Sequence, residues 1–155
     1  MMRSSDAPSR ASDSGDPFDL ERFVSAQRSH YAAALAELRA GSKRTHWMWF
    51  VFPQARGLGS SSTSVHYAIR SREEARRYLD HPVLGPRLKE CAEAIMAVEG
   101  RTASDIFGYP DDLKLKSSMT LFAEVAGPGS VFERVLAKYC TGRRCERTLE
   151  LLRRG

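Results

Sequence analysis

Between Leu20 and Leu38 the chain carries Phe23, Val24, Tyr31, Ala34 and Leu35 at a helical period, with Gln27 on the same face, which predicts one amphipathic helix. Asp16 and Pro17 suit its start, because Asp accepts orphan amide protons and Pro fits a first turn; Gly41 suits a left-handed stop. His46-Trp47-Met48-Trp49-Phe50-Val51-Phe52 follows, apolar at nearly every position, so periodicity leaves strand and helical turn open until Pro53 ends it. Gly57, Gly59 and a serine run make 56–64 a loop. Ser71 with Glu74, and Ser130 with Glu133, have capping-box spacing. They predict one helix through Ala75, Tyr78 and Leu79 and another through Val131, Phe132, Val135, Leu136 and Tyr139. Leu84, Leu88, Cys91, Ala92, Ile95 and Val98 share a helical face that Gly100 terminates, and a helical turn over Ser104–Phe107 closes at Gly108. After Pro110, the segment through Leu113, Leu115, Met119, Leu121, Phe122 and Val125 is apolar on more than one face, the mark of a helix buried on several sides. Thr148 to Leu152 completes the pattern as a short amphipathic turn or two.

These elements predict a mainly α fold, a single compact multi-helix domain over 16–155 with one short buried apolar segment after the first helix. The first fifteen residues are Ser, Asp, Arg and Pro with little that is apolar, and are expected to be a disordered tail, because such composition does not offset the entropy of ordering. No internal repeat or heptad pattern is present. A chain of 155 residues buries roughly 70% of its unfolded surface on folding, enough for a core without metals or disulfides.

Composition narrows the classes less than pattern does. With 42% hydrophobic and 28% charged residues the chain has the balance of an ordinary globular protein. Its net charge of +5 favours anionic partners mildly, and much of the excess lies near the end, where Arg143, Arg144, Arg147, Arg153 and Arg154 face Glu146 and Glu150. No base-reading motif or zinc spacing accompanies that cluster, so nucleic acid is a weakly supported partner. Cys91, Cys140 and Cys145 form no C-x-x-C pair and read as free thiols of a reducing compartment. Neither a signal peptide nor a membrane span is apparent, and the expected location is the cytoplasm.

Candidate chemistry gathers in two stretches. In Lys43 to Gln54, the rings of Trp47 and Trp49 are fit to stack on a planar ligand, and Lys43, Arg44, His46 and Gln54 stand at their ends, a combination suited to a phosphate attached to a ring. Within Asp112 to Phe122, Lys114 lies three and four residues from Ser117 and Ser118 and shares a helix face with them, a catalytic S-x-x-K pair in reversed order. The plainer reading makes the rings core, the cations a solvated helix end, and each serine a donor to its own helix. A pocket formed by both stretches and binding a small anionic, nucleotide- or sugar-phosphate-like ligand is the preferred expectation. Chemistry there would be metal-independent and cofactor-free hydrolysis or transfer, with His46 or Asp112 moving a proton and Lys43, Arg44 or Lys114 stabilising charge. The competing class is a non-enzymatic interaction module using the basic C-terminal end.

The run His46 to Gln54, then Gly57-Leu58-Gly59, His81-Pro82-Val83-Leu84-Gly85 and Lys114-Leu115-Lys116-Ser117-Ser118-Met119-Thr120-Leu121-Phe122, closely resembles the Domain of Unknown Function 1810 family, from Phe18 to Leu152. The resemblance implies a small, mainly α-helical bacterial domain and carries no established activity. Cys145 stands where the family pattern has an acidic residue to cap the last helix.

Overall fold

The computed structural model describes residues 15–154, and the expected tail therefore lies, save for Gly15, outside the described residues. The fold is mainly α. Its helices are α1 (Glu21–Arg28), α2 (Tyr31–Arg39), α3 (Met48–Val51), α4 (Ser62–His66), α5 (Arg72–Asp80), α6 (Leu84–Met96), α7 (Ala103–Phe107), α8 (Asp111–Ala126), α9 (Val131–Tyr139) and α10 (Glu146–Arg154). None among the described residues is long and apolar enough to cross a membrane.

Helix α8 is the hub. It packs against α5, α7, α9 and α10, and it buries Leu115, Met119, Leu121, Phe122, Ala123 and Val125, in keeping with its apolar residues on more than one face. Each of these side chains larger than alanine contributes roughly 1.5–3 kcal/mol when fully withdrawn from water. The Phe122 ring meets both Tyr78 of α5 and Phe132 of α9.

The long first helix is corrected to two. The backbone turns at Ser29 and His30, where the His30 amide donates to the Gln27 carbonyl, and helix resumes at Tyr31. Helix α1 packs on α3 whereas α2 packs on α6, so the two halves serve different neighbours. Asp16 still caps, its two carboxylate oxygens accepting the amides of Leu20 and Glu21, but the intervening residues form turns rather than helix. Gly41 ends α2 at φ +71°, the left-handed region only glycine enters freely.

Two buried polar knots fix the parts around the apolar segment. Gln27, read as one member of an apolar face, is buried; its amide donates to the Phe50 carbonyl at 2.7 Å and to the Tyr78 hydroxyl at 3.1 Å, while Arg87 donates to its oxygen. Arg22 donates to the carbonyls of Phe18, Asp19, His66 and Ala68 and to the Glu74 carboxylate, 2.8 Å away and fully buried. That second knot joins α1, the segment before α5, and α5 itself. The loop read over 56–64 holds the start of α4, which Ser61 caps, and Ala55 pairs with Ile69 as an isolated bridge.

Candidate functional site

The apolar segment resolves into one helical turn, α3, preceded by Trp47 and followed by Phe52. Trp47, Met48, Phe50, Val51 and Phe52 are buried, so most of this stretch is core, and Trp49 alone of its aromatic rings is half-exposed. A carboxylate outside the stretch sets its entry. Glu37, in the last turn of α2, accepts the amides of Arg44 and Thr45, the Thr45 hydroxyl and the Trp47 indole N–H, at 2.7 to 3.1 Å. Partial burial alone would raise its carboxyl, but those four donors outweigh it and hold the group down at about 2.

Lys43 and Lys114 do come together, through Asp111, a residue outside the expected site. Asp111 Oδ2 lies 2.9 Å from the Lys43 ammonium and its Oδ1 3.4 Å from that of Lys114. Each lysine also stands over a tryptophan face, Lys43 at 5.1 Å from the Trp47 ring and Lys114 at 5.2 Å from Trp49. The Lys43 side chain is only 8% exposed, whereas that of Lys114 is 25% exposed. The Lys43 backbone amide donates to Ile106, tying the stretch to α7. Asp111 is three residues before Lys114, a spacing that allows a helix ion pair, and that was the one signal in the sequence. The four bonds on Glu37 had no comparable signal, because nothing in a linear spacing says that the turn after Gly41 folds back.

The other expected residues lie apart. Arg44 and His46 are exposed, and Gln54 is half-buried with its carbonyl accepting the Ile69 amide at 2.9 Å. Asp112 accepts the Leu113 amide and lines a surface hollow with Lys116, Cys140 and Arg143, on the flank of α8 that faces the end of α9. Lys43, Arg44, His46, Trp47, Trp49, Gln54, Lys114, Ser117 and Ser118 do not line this hollow. Ser117 is buried with its hydroxyl 3.1 Å from the Leu113 carbonyl and 3.4 Å from Cys145 Sγ, so its proton serves one or the other. Ser118 is fully buried with its hydroxyl unpartnered. Lys114 therefore shares no polar contact with either serine, and a Ser–Lys pair does not form.

Cys145 stands immediately before α10. Burial would raise its thiol, yet the Ser117 hydroxyl, 3.4 Å from Sγ, and the polar groups at the start of α10 pull it below its ordinary range. Its own amide donates to the Thr120 hydroxyl at 2.9 Å, which fixes α10 against α8. Among the described residues, no three His, Cys, Asp or Glu side chains converge as a metal site would require. In the C-terminal cluster Arg144 is paired with Glu124 and Glu133, and Arg147 and Arg154 with Glu150.

Residues 17–152 match the model of a protein family described as "Protein of unknown function (DUF1810)". Among solved structures the chain is similar to the conserved hypothetical protein Rv1873 from Mycobacterium tuberculosis, at 58% identity and a TM-score of 0.87 over 88% of this chain and 98% of that one. No curated protein matches.

Proposed function

The chain belongs to the DUF1810 family, and for it we propose binding of a small anionic ligand, of nucleotide or sugar-phosphate type, between the Lys43 to Gln54 stretch and the first turns of α8. Lys114 and the half-exposed Trp49 are the receiving pair, the ammonium for an oxyanion and the indole for a ring. The observation that carries this reading is the sharing of one carboxylate by two lysines. Asp111 neutralises one charge of two, and the remaining positive charge lies at the more exposed lysine, against an aromatic face. Arg44, exposed in the same stretch, adds a further positive charge.

The reading is one of binding. His46 and Asp112, the two candidates for proton transfer, do not face a common space: His46 is exposed just before α3, and Asp112 belongs to the hollow beside α9. The competing module at the C-terminal end has less support, since Arg144, Arg147 and Arg154 are already paired with carboxylates.

A thermal-shift series with nucleoside monophosphates and sugar phosphates tests the proposal. A ligand at about a hundred times its Kd stabilises the native state by about 2.7 kcal/mol, several degrees of Tm in a chain of this size. Lys114→Ala and Trp49→Ala are each expected to abolish the rise. A rise that survives both substitutions would remove this site from consideration.

A further inference from the structure

We infer that the hollow beside α9 binds a small zwitterion of the α-amino-acid class, its carboxylate received by Lys116 and Arg143 and its ammonium by Asp112. The hollow encloses about 280 Å³ between the first two turns of α8, the end of α9 and the loop that follows. That lies just below the roughly 300–1,000 Å³ of sites for drug-sized ligands, so its occupant is smaller. Its walls hold three charged side chains together with Leu113, Tyr139 and Cys140.

The charges are what single it out. Asp112 and Lys116 are one helical turn apart, the spacing at which a carboxylate and an ammonium ordinarily meet. No ion pair joins them among the described residues, although the neighbouring Asp111 contacts two lysines. Arg143 likewise enters none of the ion pairs found there, while adjacent Arg144 is held by two glutamates. Two cations and a carboxylate, none in an ion pair among the described residues, thus border one open space. The planar fork of Arg143, with the Lys116 ammonium beside it, matches a carboxylate. Asp112 would repel a doubly charged phosphate ester and attract a cationic group, so the set discriminates by charge pattern as well as by size. Leu113, 52% exposed, and the half-exposed Tyr139 ring give an aliphatic side chain an apolar wall.

Cys140 supplies a reporter. Burial holds its thiol above the ordinary range, with Lys116 opposing that rise and Asp112 adding to it, so both charged groups act on the sulfur. An occupant between them shields it.

The experiment follows modification of the three cysteines of the full chain by N-ethylmaleimide, read peptide by peptide in a mass spectrometer. Leucine, glutamate and lysine serve as zwitterions with different side chains. At least one is expected to slow modification of Cys140 while Cys145, which does not line the hollow, reacts as before. For leucine, 4-methylpentanoate and isopentylamine remove one charge each, and protection should weaken by about tenfold with either, the loss of one charge-assisted bond. Arg143→Ala should weaken protection by leucine, though by no more than removing the carboxylate does, because Lys116 still receives that group. Asp112→Asn should leave leucine and 4-methylpentanoate equally effective. Trp49→Ala and Lys114→Ala should change nothing, which separates this site from the one proposed above. The inference is overturned if none of the three amino acids slows Cys140, or if in the unsubstituted protein 4-methylpentanoate or inorganic phosphate protects as well as leucine.

Discussion

Glu37 accepts four hydrogen bonds on one half-buried carboxylate, and these orient the chain from Arg44 to Trp47. Its carboxyl falls from 4.5 in the reference state to about 2, so the folded chain binds the proton less well than the unfolded chain. The stability that Glu37 confers is therefore whole above pH 4.5 and is lost as pH falls towards about 2. Glu37→Gln should destabilise by roughly 1 kcal/mol at neutral pH, a modest figure because water screens the group. Urea unfolding of both proteins at a series of pH values should show that difference shrinking through the same window. At this scale the sequence identified chemically apt residues but not their companions. Lys43, Trp47, Trp49 and Lys114 were legible as an aromatic and cationic group. Asp111, which joins the two lysines, was hidden by the adjacent Asp112, and Ser117 and Ser118, singled out for chemistry, are a helix-bonded and an unpartnered buried hydroxyl.

Among the elements, the corner between α5 and α6 is the tightest. His81 Nδ1 accepts the amides of Val83 and Leu84, and the Gly85 amide donates to the His81 carbonyl. A Cβ on Gly85 would lie 2.0 Å from the Leu79 carbonyl oxygen, a backbone atom that does not swing away. Gly85→Ala should consequently cost about 1–3 kcal/mol or more, seen as a lower Tm and urea midpoint with an unchanged far-ultraviolet spectrum. Here the sequence was more informative. Period, caps and glycine stops located α5 to α9, because each has either a polar cap or an apolar stripe packed on α8 or α6. The break between α1 and α2 escaped it, since a two-residue turn leaves the spacing of Phe23, Leu35 and Leu38 nearly in phase. Thr102, which forms a full capping box with Asp105 ahead of α7, was also passed over, although its spacing was there to be read.

Across the molecule, many cations are paired with neighbouring carboxylates, Arg144 and Arg147 among them, while Lys116 and Arg143 beside α8 enter none of the ion pairs among the described residues. Both proposed sites border the first turns of that helix, one on each flank. The buried Arg22 has a different kind of consequence. Its guanidinium serves acceptors up to 52 residues away from it along the chain, so opening one of those segments disturbs the bonds that hold the others. Native-state hydrogen exchange should report this as cooperativity: the amides of Ile69 and Arg70 and those early in α1 and α5 are expected to exchange with one shared opening free energy. Arg22→Lys keeps the charge but loses the fork, and should split that shared value into separate, lower ones. The corner around α1 would then no longer open as a unit, and α1 would be held by the burial of Phe23 and by the bond from Gln27 to the Phe50 carbonyl.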